Sequence, residues 1–241
     1  MDNSALINRF AIQTFRDTAD QDYIAARLAY RHRLIPQFLW ACQQSIEKYI
    51  KCILLLNRIK AKSINHDILA GFKLIQKNIP FELQMIQEDI EFIEHISKYG
   101  EVRYAEKPYH LHNGLEIVEL DSTIWHLRRY CQVIDYKQIA NGVEIDWLKL
   151  KIEHIEAAKE QPFQKFRLNG GLIEKIVSDT NHPARSPLIW QNLYFGKKYR
   201  KSVMLGEHWM SFNPTLALHP EILEEVLEYV FLPKDIANMY R

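Results

Sequence analysis

The sequence predicts a mainly α protein: an antiparallel helical bundle over residues 1–140, then an irregular, aromatic-rich C-terminal extension over residues 141–241 packed on it. Two observations predict this. Up to Ile139 apolar side chains recur at the three- and four-residue spacing of helices with one buried face. Beyond Asn141-Gly142 the chain is punctuated by Pro162, Asn169-Gly170-Gly171, Pro183, Pro187, Gly196, Gly206, Pro214 and Pro220, and four of the five tryptophans lie after residue 120.

Residues 1–20 are weakly patterned. Asp22 to Arg31 is alanine-rich and suits a short helix. The clearest helix runs from Leu34 to Asn57, with Phe38, Cys42, Ile46, Tyr49, Ile50, Ile53 and Leu56 as its buried stripe. Pro36 is tolerated in its first turn, and Glu47 and Lys51 can pair one turn apart. Asn65 suits the N-cap of a helix from His66 to Lys77. Glu82 to Lys98 reads as the next helix, stopped by Gly100, and Leu120 to Ile139 as a fifth. Ile145 to Lys159 reads as a sixth. After it only Leu172 to Ser178 and Glu221 to Phe231 carry a helical pattern, with Pro220 placed at the start of the latter.

Composition bounds the function. The hydrophobic fraction of 47% is ample for a core, and a net charge of +1 leaves any charged partner to a local patch. Cys42, Cys52 and Cys131 form no CxxC pair and no even-numbered framework, which predicts reduced thiols. The N-terminus MDNSALINRF lacks the basic and apolar regions of a signal peptide, and the apolar runs are too short to span a bilayer. A cytoplasmic protein without membrane contact is expected.

The stretch from Asp22 to Ile75, followed by YGEVRYAEKPY, resembles the HEPN superfamily. The residues that carry the resemblance are Ala26-Arg27, Gln44, Glu47-Lys48, Lys51, Leu54 to Leu56, His66-Asp67 and Arg103-Tyr104. It covers about residues 20–140. The resemblance implies an up-and-down helical bundle paired into a homodimer, binding RNA or nucleotides or docking a protein partner. It also implies, for some members, metal-independent ribonuclease activity of the toxin or defence kind. There an arginine and a histidine four to six residues apart meet across the dimer cleft; Arg103 and His110, with six residues between them, fit that spacing. Tyr104 follows the arginine, where active members carry a polar residue.

Metal-free RNA cleavage needs a base for the 2′-hydroxyl and a cation for the charge that builds on the phosphate. His110 and Arg103 suit those roles. Alternatively, Arg103 pairs with Glu101 or Glu106 and His110 sits on a loop. On one continuous helix the pair would share a face, since two turns take about 7.2 residues. Pro108 inside that helix would cost about 3 kcal/mol, so a helix starts after it or does not form.

His110 and His112 would point to one side of a strand, but no carboxylate stands at a ligand spacing, and neither a metal nor another cofactor is expected. Lys197, Lys198, Arg200 and Lys201 lie among Trp190, Tyr194, Phe195 and Tyr199. Cations interleaved with rings suit a single strand of nucleic acid, and Tyr104 could add a further ring. The same spacing also fits Trp190, Leu193 and Phe195 as core, with the lysines solvating a turn. Gly170-Gly171 lacks the ending of a phosphate loop and reads as a turn before a short helix. The runner-up function is a non-catalytic interaction module that docks a partner protein.

Overall fold

A computed structural model describes residues 3–62, 64–99, 109–196, 200–204, 206, 209–212, 219–232 and 234–239. The chain is mainly helical. It is helical from Ser4: α1 (Ser4–Phe10) passes through a π-helical stretch at Ala11–Arg16 into α2 (Asp17–Arg31). The weak pattern of residues 1–20 therefore hides a helix. Its buried positions are Ala11, Arg16, Ala19 and Asp20, which an apolar stripe does not register.

The central helix is α3 (Ile35–Leu56), with Pro36 in its first turn. Of the expected stripe, Phe38, Cys42, Ile46, Tyr49, Ile50 and Ile53 are buried, and Leu56 is half-buried at the end. Arg58, just past Asn57, adopts a left-handed φ of 57°, which turns the chain out of the helix. The next helix, α4 (Ile68–Asn78), is capped by Asp67, whose carboxylate accepts from Ala70 N at 2.9 Å. Asn65, the expected cap, instead sits in the preceding turn at φ 42°. The fourth long helix, α5 (Gln87–Tyr99), starts later than Glu82 because Asp89 reaches back to Ile86 N at 3.1 Å.

Strand β1 (Tyr109–His112) leads into α6 (Glu116–Arg128). The expected helix from Leu120 to Ile139 is thus displaced. Its C-terminal part is strand β2 (Lys137–Ala140), paired antiparallel with β3 (Val143–Asp146). Asn141 and Gly142 both have positive φ, 52° and 78°, so they form the two-residue hairpin turn rather than a mere helix break. Asp146 then caps α7 (Trp147–Ala157) through Leu148 N at 3.0 Å. Beyond it lie α8 (Leu172–Ser178), α9 (Arg185–Ile189), β4 (Trp209–Phe212), α10 (Leu223–Tyr229) and α11 (Lys234–Met239).

One core joins α2, α3, α5 and α6 to residues far along the chain. Trp125 of α6 packs edge-on to Phe163 with ring centroids 5.0 Å apart, lies 5.8 Å from Tyr194, and donates from its indole to Phe163 O at 3.2 Å. Phe195 meets Tyr23 of α2 edge-on at 5.6 Å. These rings leave water together, and burial of apolar area is the dominant favourable force of the fold.

Candidate functional site

Strands β1 and β4 form a two-stranded antiparallel sheet in which His110 is paired with Ser211 and His112 with Trp209. Nothing in the sequence signals this pairing, because the strands lie about a hundred residues apart and each has only four. Gly206 N donates to Gly114 O at 3.0 Å just beside the sheet. A Cβ on Gly206 would come within 3.1 Å of the Gly114 backbone and of the Tyr30 hydroxyl, so any side chain there would make these neighbours give by a few tenths of an ångström.

His110 is therefore on a strand, and it shares no continuous helix with Arg103, as Pro108 leads one to expect. The His110 side chain, Arg103, Tyr104, Lys197 and Lys198 lie outside the described residues. Arg200 is half-buried and its guanidinium donates to Ile189 O at 3.1 Å, while Lys201 is exposed.

The strand is anchored at its end. The His112 ring meets Glu116 Oε1 through Nδ1 at 3.0 Å, with both side chains buried. Asn113 N donates to the same oxygen at 3.1 Å. Burial pushes the Glu116 carboxyl up, but these bonds and the His112 charge outweigh it and hold the carboxyl below its ordinary range. Among the described residues Glu116 Oε2 has no hydrogen-bond partner. Burial, with Glu116 nearby, raises Glu119; burial, with both glutamates, pushes the Tyr30 hydroxyl up to about 12. His112 thus has a local partner four residues on, and the H-x-H pair is not needed to explain it.

A second polar group lies deep in the fold. Arg128 sits between two carboxylates, donating to Asp20 at 2.8 and 2.9 Å and to both oxygens of Glu174 at 2.7 Å. Desolvation would lower its pKa, yet the two carboxylates hold it well above the ordinary value. Arg27 is bonded to Asp121 and to the backbone oxygens of Pro187 and Trp190. Tyr23 donates to Asp121 at 2.6 Å and accepts from Asn192 at 2.8 Å. Every charge here has a partner, so the group reads as a structural network and not as a reactive centre.

His126, Asp89 and Ser122 also meet, but at one ring nitrogen. Asp89 Oδ2 lies 2.8 Å, and Ser122 Oγ 3.4 Å, from Nδ1. A catalytic triad needs the serine at the ring nitrogen opposite the acid, so this is not one. All three cysteines are free and buried, and burial pushes the thiols of Cys42 and Cys131 well up, which suppresses the thiolate. Among the described residues no group of three potential metal ligands occurs, and no helix is long and apolar enough to cross a membrane.

The carrying residues Glu47, Lys51 and His66 do converge. Lys51 meets Glu47 at 2.5 Å, and the His66 ring lies 3.2 Å from both Glu47 oxygens, tying α3 to the turn before α4. A family model of the HEPN domain matches residues 12–132, half of the chain. The chain belongs to the HEPN family. No curated protein and no solved structure matches it significantly. The HEPN match ends at residue 132, so Glu174, Pro187, Trp190 and Asn192, which complete the buried network, come from outside it.

Proposed function

We propose that this HEPN protein binds RNA or a nucleotide, and that Arg103 and His110 form a metal-independent RNA-cleaving pair in a homodimer. The observation that carries the proposal is the pairing of β1 with β4. It ties the strand of His110 to the chain that leaves the basic run of Lys197, Lys198, Arg200 and Lys201. The strand of the candidate base is thus paired with the chain that follows Arg200 and Lys201. The buried His112–Glu116 pair fixes the strand where it enters α6, and a reactive side chain works best on a rigid element.

In this proposal His110 takes the proton of a 2′-hydroxyl as that oxygen attacks the adjacent phosphorus. The 5′-oxygen then leaves and takes a proton from water, and Arg103 stabilises the added charge on the phosphate. Tyr104 and the basic run hold the strand by stacking and charge. The test is incubation of wild type, His110→Ala and Arg103→Ala with mixed RNA in EDTA. Cleavage by wild type alone is expected. Intact RNA in all three reactions removes the ribonuclease half of the proposal.

A second reading, capture of a protein partner, has its own observation. At the end of α10, Tyr229, Val230 and Phe231 are 77%, 53% and 87% exposed, a run of apolar side chains in water. Binding through such a face should change little with salt, whereas RNA binding should weaken steeply.

A further inference from the structure

Where the end of α2 meets residues 180–191 and Arg200, a cleft of about 430 Å³ opens, within the size range of small-ligand sites. Arg31, His182, Arg185 and Arg200 line it together with Ser186 and Trp190, and among the described residues none that lines it is acidic. We propose that this cleft binds a phosphate group, as a phosphomonoester or as the phosphodiester of a nucleic-acid strand.

Each cation is held in place by a neutral acceptor. Arg31 reaches Ser186 Oγ at 3.3 Å and lies over the Trp190 ring, 5.6 Å from its centroid. Arg185 donates to Val177 O at 3.1 Å, and Arg200 to Ile189 O at 3.1 Å. A guanidinium has five N–H donors, and one or two bonds orient it without neutralising it. Among the described residues none of these three arginines forms an ion pair. Asp121, whose carboxyl feels the charge of Arg200, is bonded to Arg27 and Tyr23.

His182 adds a directed donor. Its Nδ1 accepts from Ala184 N at 3.1 Å, which leaves the proton of the neutral ring on Nε2. Three guanidiniums lining one cleft, with no ion-pair partner among the described residues, favour an oxyanion. Phosphate fits because the guanidinium fork matches its oxygens in pairs.

The cleft shares Arg200 with the basic run proposed above, but its lining includes neither Arg103 nor His110, and its binding does not depend on RNA cleavage. Its test therefore uses probes that cannot be cut through a 2′-hydroxyl. Binding of inorganic phosphate, adenosine 5′-monophosphate, a short single-stranded DNA and a polyglutamate peptide is measured by calorimetry. The proteins are wild type, Arg31→Gln and Arg200→Gln, with thermal unfolding recorded for each. We expect at least one phosphate-bearing probe to bind, with each variant weakening it about tenfold or more. Binding of phosphate and the mononucleotide assigns the cleft to a monoester; binding of the DNA alone assigns it to a strand. Arg31 is exposed, so its variant decides the matter if Arg200→Gln unfolds. The proposal falls if no phosphate-bearing probe binds, if only polyglutamate binds, or if Arg31→Gln binds as tightly as wild type.

Discussion

Arg27 and Arg128 lie inside the fold, while Arg31, Arg185 and Arg200 line a surface cleft, and the two groups are bonded to different partners. The buried pair is matched to carboxylates, Asp121 for one and Asp20 with Glu174 for the other. Among the described residues, the cleft arginines are bonded only to carbonyl and hydroxyl oxygens. A guanidinium taken out of water needs a countercharge or it destabilises the fold. One at the surface can keep its charge for a ligand. The contrast separates arginines matched to carboxylates from arginines bonded to neutral oxygens within one chain, and it can be broken by experiment.

The largest effect should come from removing residues 162–241. That truncation takes away Glu174, Asn192 and the Pro187 and Trp190 carbonyls, and it uncovers Trp125 and Tyr23. Arg27 and Arg128 would each lose acceptors while still confined among apolar neighbours. The shortened chain should show no cooperative unfolding transition by circular dichroism in urea. A sharp transition would mean that the HEPN domain closes its own polar interior.

Next comes Arg128→Met, which strands Asp20 and Glu174 against each other. Breaking a buried pair by deleting one partner costs about 3–5 kcal/mol, read as a lower urea midpoint at an unchanged slope. Gly171→Ala tests the same place from the backbone. A Cβ there would stand 1.9 Å from Glu174 Oε2 and 2.7 Å from Arg128 Nη2, so the salt bridge must shift. The loss should be smaller, about 1–3 kcal/mol, as for other overpacked interiors.

These positions also show what the sequence could and could not tell. The α3 stripe was legible because its large apolar side chains recur on one helical face, and Leu172–Ser178 because Gly171 and the turn before it mark its start. Residues up to Asp20 were not, since small and charged side chains bury there, whereas the alanine-rich half of α2 from Asp22 was. Neither was the α6 boundary, because a hairpin turn and a helix break use the same Asn-Gly pair. Of the site, the spacing of Arg103 and His110 could be read locally, and so could the basic run. The β1–β4 pairing and the arginine cleft could not: Arg31 and Arg185 stand 154 positions apart, and only folding joins them.

A smaller effect belongs to pH. Burial pushes the Glu174 carboxyl up, but its bonds to Arg128 and to Leu168 N outweigh that and hold it below its ordinary 4.5. As pH falls below about 4.5 the unfolded chain takes up this proton first, so the stability contributed above that value is lost as pH drops through the folded pKa. Glu174→Gln should therefore be less stable than wild type at neutral pH and lose less on going from pH 6 to pH 3. Parallel curves for the two proteins would mean that Glu174 does not carry the acid limb.

The smallest change should come at Arg31. Its guanidinium is exposed and, among the described residues, its polar partner is a single serine hydroxyl, so Arg31→Gln should move stability by no more than about 0.5 kcal/mol. Arg27→Gln, only four residues earlier on the same helix, should cost several times more. Asp121 would then lose the guanidinium that offsets its burial, which already raises its carboxyl above the ordinary range. Urea titrations of the two variants side by side measure the difference. Equal losses would erase the distinction between the two sets of arginines, because Arg31 would then be holding the fold together rather than holding charge in reserve for a ligand.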